Sequence, residues 1–305
     1  MAESRTPAER PASCSLAMAR ERARDFFNLT KPGITRLILI TTGVGFYMAQ
    51  RGAVDFVLLF HTLLGTALAC SGTNALNQYA ERDVDGLMRR TSMRPLPAGR
   101  LTPRQALWFA WTTAVLGIIY LVLFVGWIPA ALVLASLVSY IYVYTPLKRR
   151  TSLNTIVGAV PGALPILAGW VAGGGSMGLA GWTLFAIMFL WQLPHFLALA
   201  WMFREDYLRG GFVMLSRNDP DGRRTGRQIF NYALALVPVS LIPTVLGMTG
   251  SIYFIGALLL GLAFLAAGAA VALNRTDRGA RRLFFASVLY LPALLILMVF
   301  DKLPA

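Results

Sequence analysis

The sequence specifies an all-α polytopic membrane protein: nine transmembrane helices around a central cavity, N-terminus cytoplasmic, C-terminus outside. Three observations lead there. Of 305 residues 56% are hydrophobic and only 14% charged, with mean hydropathy +0.60, whereas soluble domains carry roughly 25% charged residues. Nine apolar runs approach the ~20 residues that cross a bilayer. Finally, all but Arg51 and Lys302 of the 28 basic residues lie in the N-terminal segment through Arg36 or after the second, fourth, sixth and eighth runs. The positive-inside rule makes those segments cytoplasmic, and an odd number of spans agrees with it.

The runs fall near 33–50, 55–80, 103–123, 127–145, 153–173, 179–203, 228–248, 251–273 and 283–300. Residues 1–27 read as a disordered cytoplasmic arm and 28–305 as one intramembrane domain. The arm has no apolar core of a secretory signal, and Glu3, Glu9, Glu21 and Asp25 argue against a mitochondrial transit peptide. A bacterial inner membrane is therefore expected. The net charge of +14 is accounted for by topology, so no nucleic-acid partner is needed. Two cysteines, Cys14 and Cys70, make neither a disulfide framework nor a thiol metal motif. No G-x-x-x-x-G-K-[ST] loop occurs.

The carboxylates carry the chemistry. Glu81, Asp83 and Asp85 sit at the end of the second run, just past Asn77; Glu205 and Asp206 end the sixth. Carboxylates near membrane depth are costly and read as functional. Asn77, Glu81 and Asp85 fall at i, i+4 and i+8, one face of a helix, and Asp83 points off it. Oxygen ligands without His or Cys suit a hard cation such as Mg²⁺, held together with substrate phosphates. Pairing with neighbouring arginines at a helix end is the other reading. Arg89, Arg90 and Arg94 lie on a turn fixed by Pro95 and Pro97, and Lys148 and Arg149 follow the fourth run. Acids and guanidinium groups converging on one face make a metal–diphosphate site.

The stretch Asn77 to Asp85, N-x-x-x-E-x-x-x-D, followed by R-T-x-x-R-P-L-P-x-G from Arg90 to Gly99, resembles the UbiA-type intramembrane prenyltransferases. Asn28-Leu29-Thr30-Lys31-Pro32, then Tyr144-Thr145-Pro146-Leu147-Lys148-Arg149 with Asn154, then Trp191-Gln192-Leu193-Pro194-His195-Phe196 and Arg204-Glu205-Asp206-Tyr207 resemble the branch that farnesylates protohaem. The resemblance covers about residues 28–300. It implies farnesyl transfer from farnesyl diphosphate to the 2-vinyl group of haem B, with addition of water. Mg²⁺ would be the cofactor, haem B a substrate, and a haem A synthase or the oxidase assembly machinery a contact. It implies Asn77, Glu81, Asp85 and Asp206 as metal ligands, and these with His195 as the catalytic set. Substrate contacts would come from Arg89, Arg90, Arg94, Tyr142, Tyr144, Lys148, Arg149, Trp191 and Glu205.

One departure stands out. The family's second acidic motif is usually D-x-x-x-D, and here only His195 and then Glu205-Asp206 occur. Eleven residues separate His195 from Asp206, about three turns of one helix, so both are expected on one cavity. His195 serves haem, the diphosphate or packing. His61 reads as packed or interfacial. Gly158, Pro161, Gly162, Pro165 and Gly169 read as close helix contacts or a broken helix. A sibling enzyme acting on a quinone precursor would share the first motif and lack W-Q-x-P-H. A secondary transporter would place its polar residues at the midplane.

Overall fold

The computed structural model describes residues 12–304, and among them the regular structure is helical apart from one bridge between Thr249 and Lys302. In chain order the helices are α1 (Ala12–Leu29), α2 (Pro32–Ala49), α3 (Phe56–Asp85), α4 (Pro103–Phe124), α5 (Trp127–Val138), α6 (Thr145–Leu147), α7 (Asn154–Ala172), α8 (Leu179–Met202), α9 (Arg204–Arg209), α10 (Arg223–Val245), α11 (Ser251–Asn274) and α12 (Asp277–Phe300). A π-helical turn, Ser139–Tyr144, joins α5 to α6, so Trp127–Leu147 runs as one rod. Eight helices among the described residues are long and apolar enough to cross a membrane. The first expected span, α2, falls outside those eight: across its 18 residues, Arg36, three threonines and three glycines dilute the apolar run.

Helix α1 occupies ground where the sequence suggests disorder. Its C-terminal turns are held by the Asp25–Arg100 ion pair (2.9 Å), by Phe26 against Phe109 (5.3 Å between ring centres), and by buried Leu29. These anchors are long-range, and no local pattern announces them. Residues 1–11 of the expected arm lie outside the described residues.

Asp55 starts α3 by accepting from the Leu58 amide. At 30 residues α3 is about 45 Å long, against roughly 30 Å of hydrocarbon. Its last turns therefore carry Asn77, Glu81 and Asp85 to the membrane boundary while remaining helical. Small residues let α3 and α4 approach closely: Gly65 and Gly72 face Ala110, Ala114 and Gly117. A Cβ on Gly117 would stand 2.8 Å from the Gly65 carbonyl oxygen and from Ala69 Cα. Gly117→Val is thus expected to force the helices apart at a cost of about 1–3 kcal/mol, measurable as a lower melting temperature in detergent.

Helix α7 is central, packed on α2, α5 and α8. It stays continuous through Pro161 and Pro165. Its glycines are contact points: Gly158 lies against Tyr144, Gly162 against Gln192 and Gly169 against the α2 backbone at Thr42. The close-contact reading of this span therefore holds, and the broken-helix reading does not.

Candidate active site

The end of α3 meets the start of α2, the end of α6 and the loops after α3 and α8. Three oxygen-bearing side chains on one α3 face each meet a cation from a different segment. Lys31 Nζ donates to Asn77 Oδ1 at 2.6 Å, Lys148 Nζ to Glu81 Oε1 at 2.6 Å, and Arg94 Nη1 to Asp85 Oδ2 at 2.6 Å. Asn77, Glu81 and Asp85 are all buried, and Asp83 points away with its side chain 82% exposed beside Arg82. The i, i+4, i+8 reading is thus reproduced in three dimensions. The alternative of simple ion pairing describes the same contacts, but one atom escapes it: Asp85 Oδ1 is buried without a hydrogen-bond partner.

Each cation is placed by local structure. Lys31 occupies a left-handed backbone conformation (φ 48°) between α1 and Pro32, which opens α2. Asn74 and Gln78 on α3 hold that linker by donating to the Thr30, Asn28 and Leu29 carbonyls. Burial, together with nearby Arg94, lowers the Lys31 ammonium to about 7, although Glu81 opposes the change. Lys148 closes α6. Burial works against its charge, but Glu81 beside it wins and raises it above the ordinary lysine value. Its Nζ also lies 4.5 Å from the Tyr144 ring centre and 5.5 Å from that of Phe212. The π-turn before it sets the Tyr140 ring 5.2 Å from that of Tyr144, their planes tilted by 42°, and leaves Thr145 to accept from Asn77 Nδ2; such turns recur at functional sites. Arg94 sits on a turn closed by Arg94, Pro95 and Leu96 carbonyls, as Pro95 and Pro97 predict.

Other expected residues fall elsewhere. Asp206 does not present free oxygens: they accept from the Arg89 and Arg90 amides (3.2 and 3.3 Å) and from Arg209 Nη2 (2.8 Å). The single-helix argument linking it to His195 fails because α8 ends at Met202 and Phe203 (φ −110°, ψ 25°) breaks the rod. His195 faces α12: Nδ1 bonds Ser287 Oγ at 2.7 Å, and the ring stacks near Trp191 and Phe284. Trp191 is buried there as well, its Nε1 donating to the Ser287 carbonyl. Tyr142 is 60% exposed, and Arg89, Arg149 and Glu205 are exposed too. Arg90 lies over the Phe203 and Tyr207 rings rather than over the α3 face. His61 packs, bonded to Tyr120 and stacked on Phe124. Lys31, Thr145 and Phe212 join the site although the sequence does not single them out as contacts, and Tyr140, an aromatic expected to wall the cavity, joins it too.

Comparison with known proteins agrees with this architecture. The model of the UbiA prenyltransferase family matches residues 38–289. A protein from Solibacter usitatus named protoheme IX farnesyltransferase is 49% identical over 92% of this chain and 99% of its own length. One of the same name from Salinibacter ruber is 43% identical over 91% and 98%. Among solved structures, one described for digeranylgeranylglyceryl phosphate synthase in membranes superposes with a TM-score of 0.77 at 16% identity, over 92% of this chain and 98% of that one. A UbiA homologue from Archaeoglobus fulgidus bound to GPP and Mg²⁺ gives 0.69 at 17%, over 90% and 99%. The family model spans the α3 face together with Arg94 and Lys148, the relatives and the shared helical fold cover most of the chain, and the chain belongs to the UbiA prenyltransferase family.

Proposed function

We propose that the chain is a membrane enzyme that farnesylates haem B. It transfers the farnesyl group of farnesyl diphosphate to the 2-vinyl group, adds water, and releases haem O and diphosphate. The observation that carries the site assignment is the row of three oxygen side chains, each opposed by a cation, at the end of α3. The relatives named protoheme IX farnesyltransferase, 39–49% identical over most of the chain, supply the acceptor.

Asn77, Glu81 and Asp85 are the residues that would hold Mg²⁺. The donor set fits a hard cation, and the unpartnered Asp85 Oδ1 is a ligand oxygen without another task. When bound, Mg²⁺ neutralises charge on the leaving diphosphate and so favours ionisation of the C1–O bond. Lys31, Lys148 and Arg94 already reach the oxygens such a metal would take. On binding they turn to phosphate oxygens, where Arg94 offers a two-pronged contact and the lysines offer point charges. Tyr144 presents its ring beside Lys148 with Tyr140 next to it, aromatic groups suited to an allylic cation held away from water until the vinyl π electrons attack. Asp206 would add a further oxygen ligand once Arg209 turns aside, and His195, oriented by the bond from its Nδ1 to Ser287, would serve haem.

The loops carrying these cations face the cytoplasm in this proposal, with a bacterial inner membrane as the site of action. Passage of the product to a haem A synthase or to the oxidase assembly machinery belongs to it as well. Membranes from cells expressing the chain, supplied with haem B, farnesyl diphosphate and Mg²⁺, should yield a haem heavier by one farnesyl group and one hydroxyl on chromatography with mass detection. A prenylated quinone precursor in place of that haem would refute the acceptor. No prenylated product of any kind would refute the reaction.

A further inference from the structure

We propose that the groove between the end of α11 and the start of α12 binds one anionic phospholipid, its phosphate between Arg278 and Arg282 and its acyl chains along the outer faces of the two helices. The site is separate from the α3 face and does not depend on the metal or the acceptor proposed above.

The segment that joins these helices is basic. Residues 275–282 hold Arg275, Arg278, Arg281 and Arg282 against one acid, Asp277. That acid is already taken, because Arg204, just past α8, meets it at 2.7 Å. Among the described residues, Arg278 and Arg282 meet no carboxylate. Membrane topology accounts for the sign of this segment and not for the gathering of its arginines at one groove. The Arg204–Asp277 pair also fixes the level of the site. It ties the start of α12 to the end of α8, and Asp206 in α9 meets the Arg89 and Arg90 amides that follow α3. The groove therefore opens at the same end of the bundle as Glu81 and Asp85, where a bilayer presents its headgroups.

Helix α11 packs chiefly on α10 and α12, so its other face is turned away from the α3 site. Ala267, Ala270 and Asn274 fall at i, i+3 and i+7, one stripe of α11, and Arg278 and Arg282 begin a stripe of α12. Together with Thr276 and Gly279 these stripes line a groove of about 480 Å³, and among the described residues no carboxylate lines it. The alanines keep its floor low. Gly279 lets the helices close beneath the arginines: a Cβ there would stand 3.1 Å from Thr276 Oγ1 and 3.6 Å from Val271 Cγ2. Thr276 accepts from the Gly279 amide at 3.0 Å, and a hydroxyl that accepts can still donate. A phosphate entering here meets two guanidinium forks, a hydroxyl and the Asn274 amide.

Further into the membrane the same stripes become apolar. On α12 they continue through Phe285 and Leu289, 55% and 71% exposed, about 4.5 and 10.5 Å beyond Arg282 at 1.5 Å per residue. On α11 they continue through exposed Ala263 and Leu259. A basic head above an apolar tail matches the whole length of a phospholipid, whereas a free phosphate would use only the head. Basic pockets between membrane helices are suited to anionic headgroups.

The test uses the full chain in detergent micelles with phosphatidylglycerol that carries a photoreactive diazirine in one acyl chain. Crosslinked peptides are mapped by mass spectrometry. Labelling is expected on α11 and α12 around Ala263, Phe285 and Leu289. Unlabelled phosphatidylglycerol should displace it, and phosphatidylcholine and inorganic phosphate should not. An arginine at a membrane surface is worth about fivefold in anionic-lipid binding. Arg282→Gln should thus raise the lipid concentration for half-labelling about fivefold, and Arg278→Gln with Arg282→Gln about thirtyfold. Ala270→Phe keeps every charge and fills the floor, so it should weaken labelling as well. Arg217→Gln, which removes an exposed arginine after α9, should leave labelling unchanged. Displacement by phosphatidylcholine as effective as by phosphatidylglycerol would overturn the proposal, and displacement by inorganic phosphate would reduce the site to one for free anions. Equal weakening in Arg217→Gln and Arg282→Gln would assign the effect to diffuse charge and overturn it too. If the double variant does not fold, Arg282→Gln and Ala270→Phe decide. No readout needs turnover, so the result stands whatever the acceptor.

Discussion

Asp85→Ala is expected to reduce farnesyl transfer by about 10² to 10³ or more, the range for removing one pre-set group that stabilises developing charge, while the protein stays folded. Asp85 is 1% exposed, yet its two oxygens are unequal. Oδ2 accepts from Arg94 at 2.6 Å and Oδ1 has no partner. Packing alone does not retain an acceptor of that kind, because an unmet buried acceptor costs free energy. Removal of the side chain relieves that cost and releases Arg94, which is part-exposed and can turn to water. Stability therefore changes little, and the loss falls on metal and diphosphate binding. Asp83→Ala, two residues away, is the internal control. Its exposed carboxylate meets Arg82 at 3.7 Å, a surface pair of small worth. Product analysis and thermal melting on both variants separate the outcomes. Equal loss of product in the two, accompanied by unfolding, would assign the whole end of α3 a structural role.

Much of this arrangement is legible in the residues themselves. The apolar runs mark the long helices to within a few residues because lipid requires continuous apolar helix faces, and the acid spacing at Asn77, Glu81 and Asp85 survives because α3 stays helical through Asp85. What escapes has physical causes. The apolar run near 55–80 ends before the helix does, since hydrogen bonding carries α3 on through polar residues to Asp85. The link between His195 and Asp206 assumes an unbroken helix, and one residue, Phe203, removes it. Tyr142 was separable from Tyr140 and Tyr144 by helical phase alone: residues four apart share a face and the one between them does not. Lys31 gives no periodic signal, because its direction is set by a left-handed backbone at a two-residue linker. The helix at α1 and the anchoring of Asp206 depend on partners about 75 and 117 residues away, beyond the reach of any local pattern.

Lys148→Met is expected to damage both folding and transfer, whereas Lys148→Met with Glu81→Gln should recover folding and stay inactive. Lys148 and Glu81 form a buried pair at 2.6 Å, with side chains about 10% and 8% exposed. Removing one charge strands the other, at a cost of about 3–5 kcal/mol. Replacing both leaves no buried charge, and such double replacements are often near neutral. A membrane boundary sharpens the contrast, since a stranded Glu81 has less water to turn to. Function follows different arithmetic. Glu81 is needed as an oxygen ligand and Lys148 as a cation for the leaving group, so neither loss compensates the other. A double-mutant cycle on melting temperature should therefore show strong coupling, and the same cycle on farnesyl transfer should show none beyond the single losses. Independent, additive effects on stability would mean that water reaches the pair and that burial is not what fixes its charge. Restored transfer in the double variant would place the diphosphate away from the α3 face altogether.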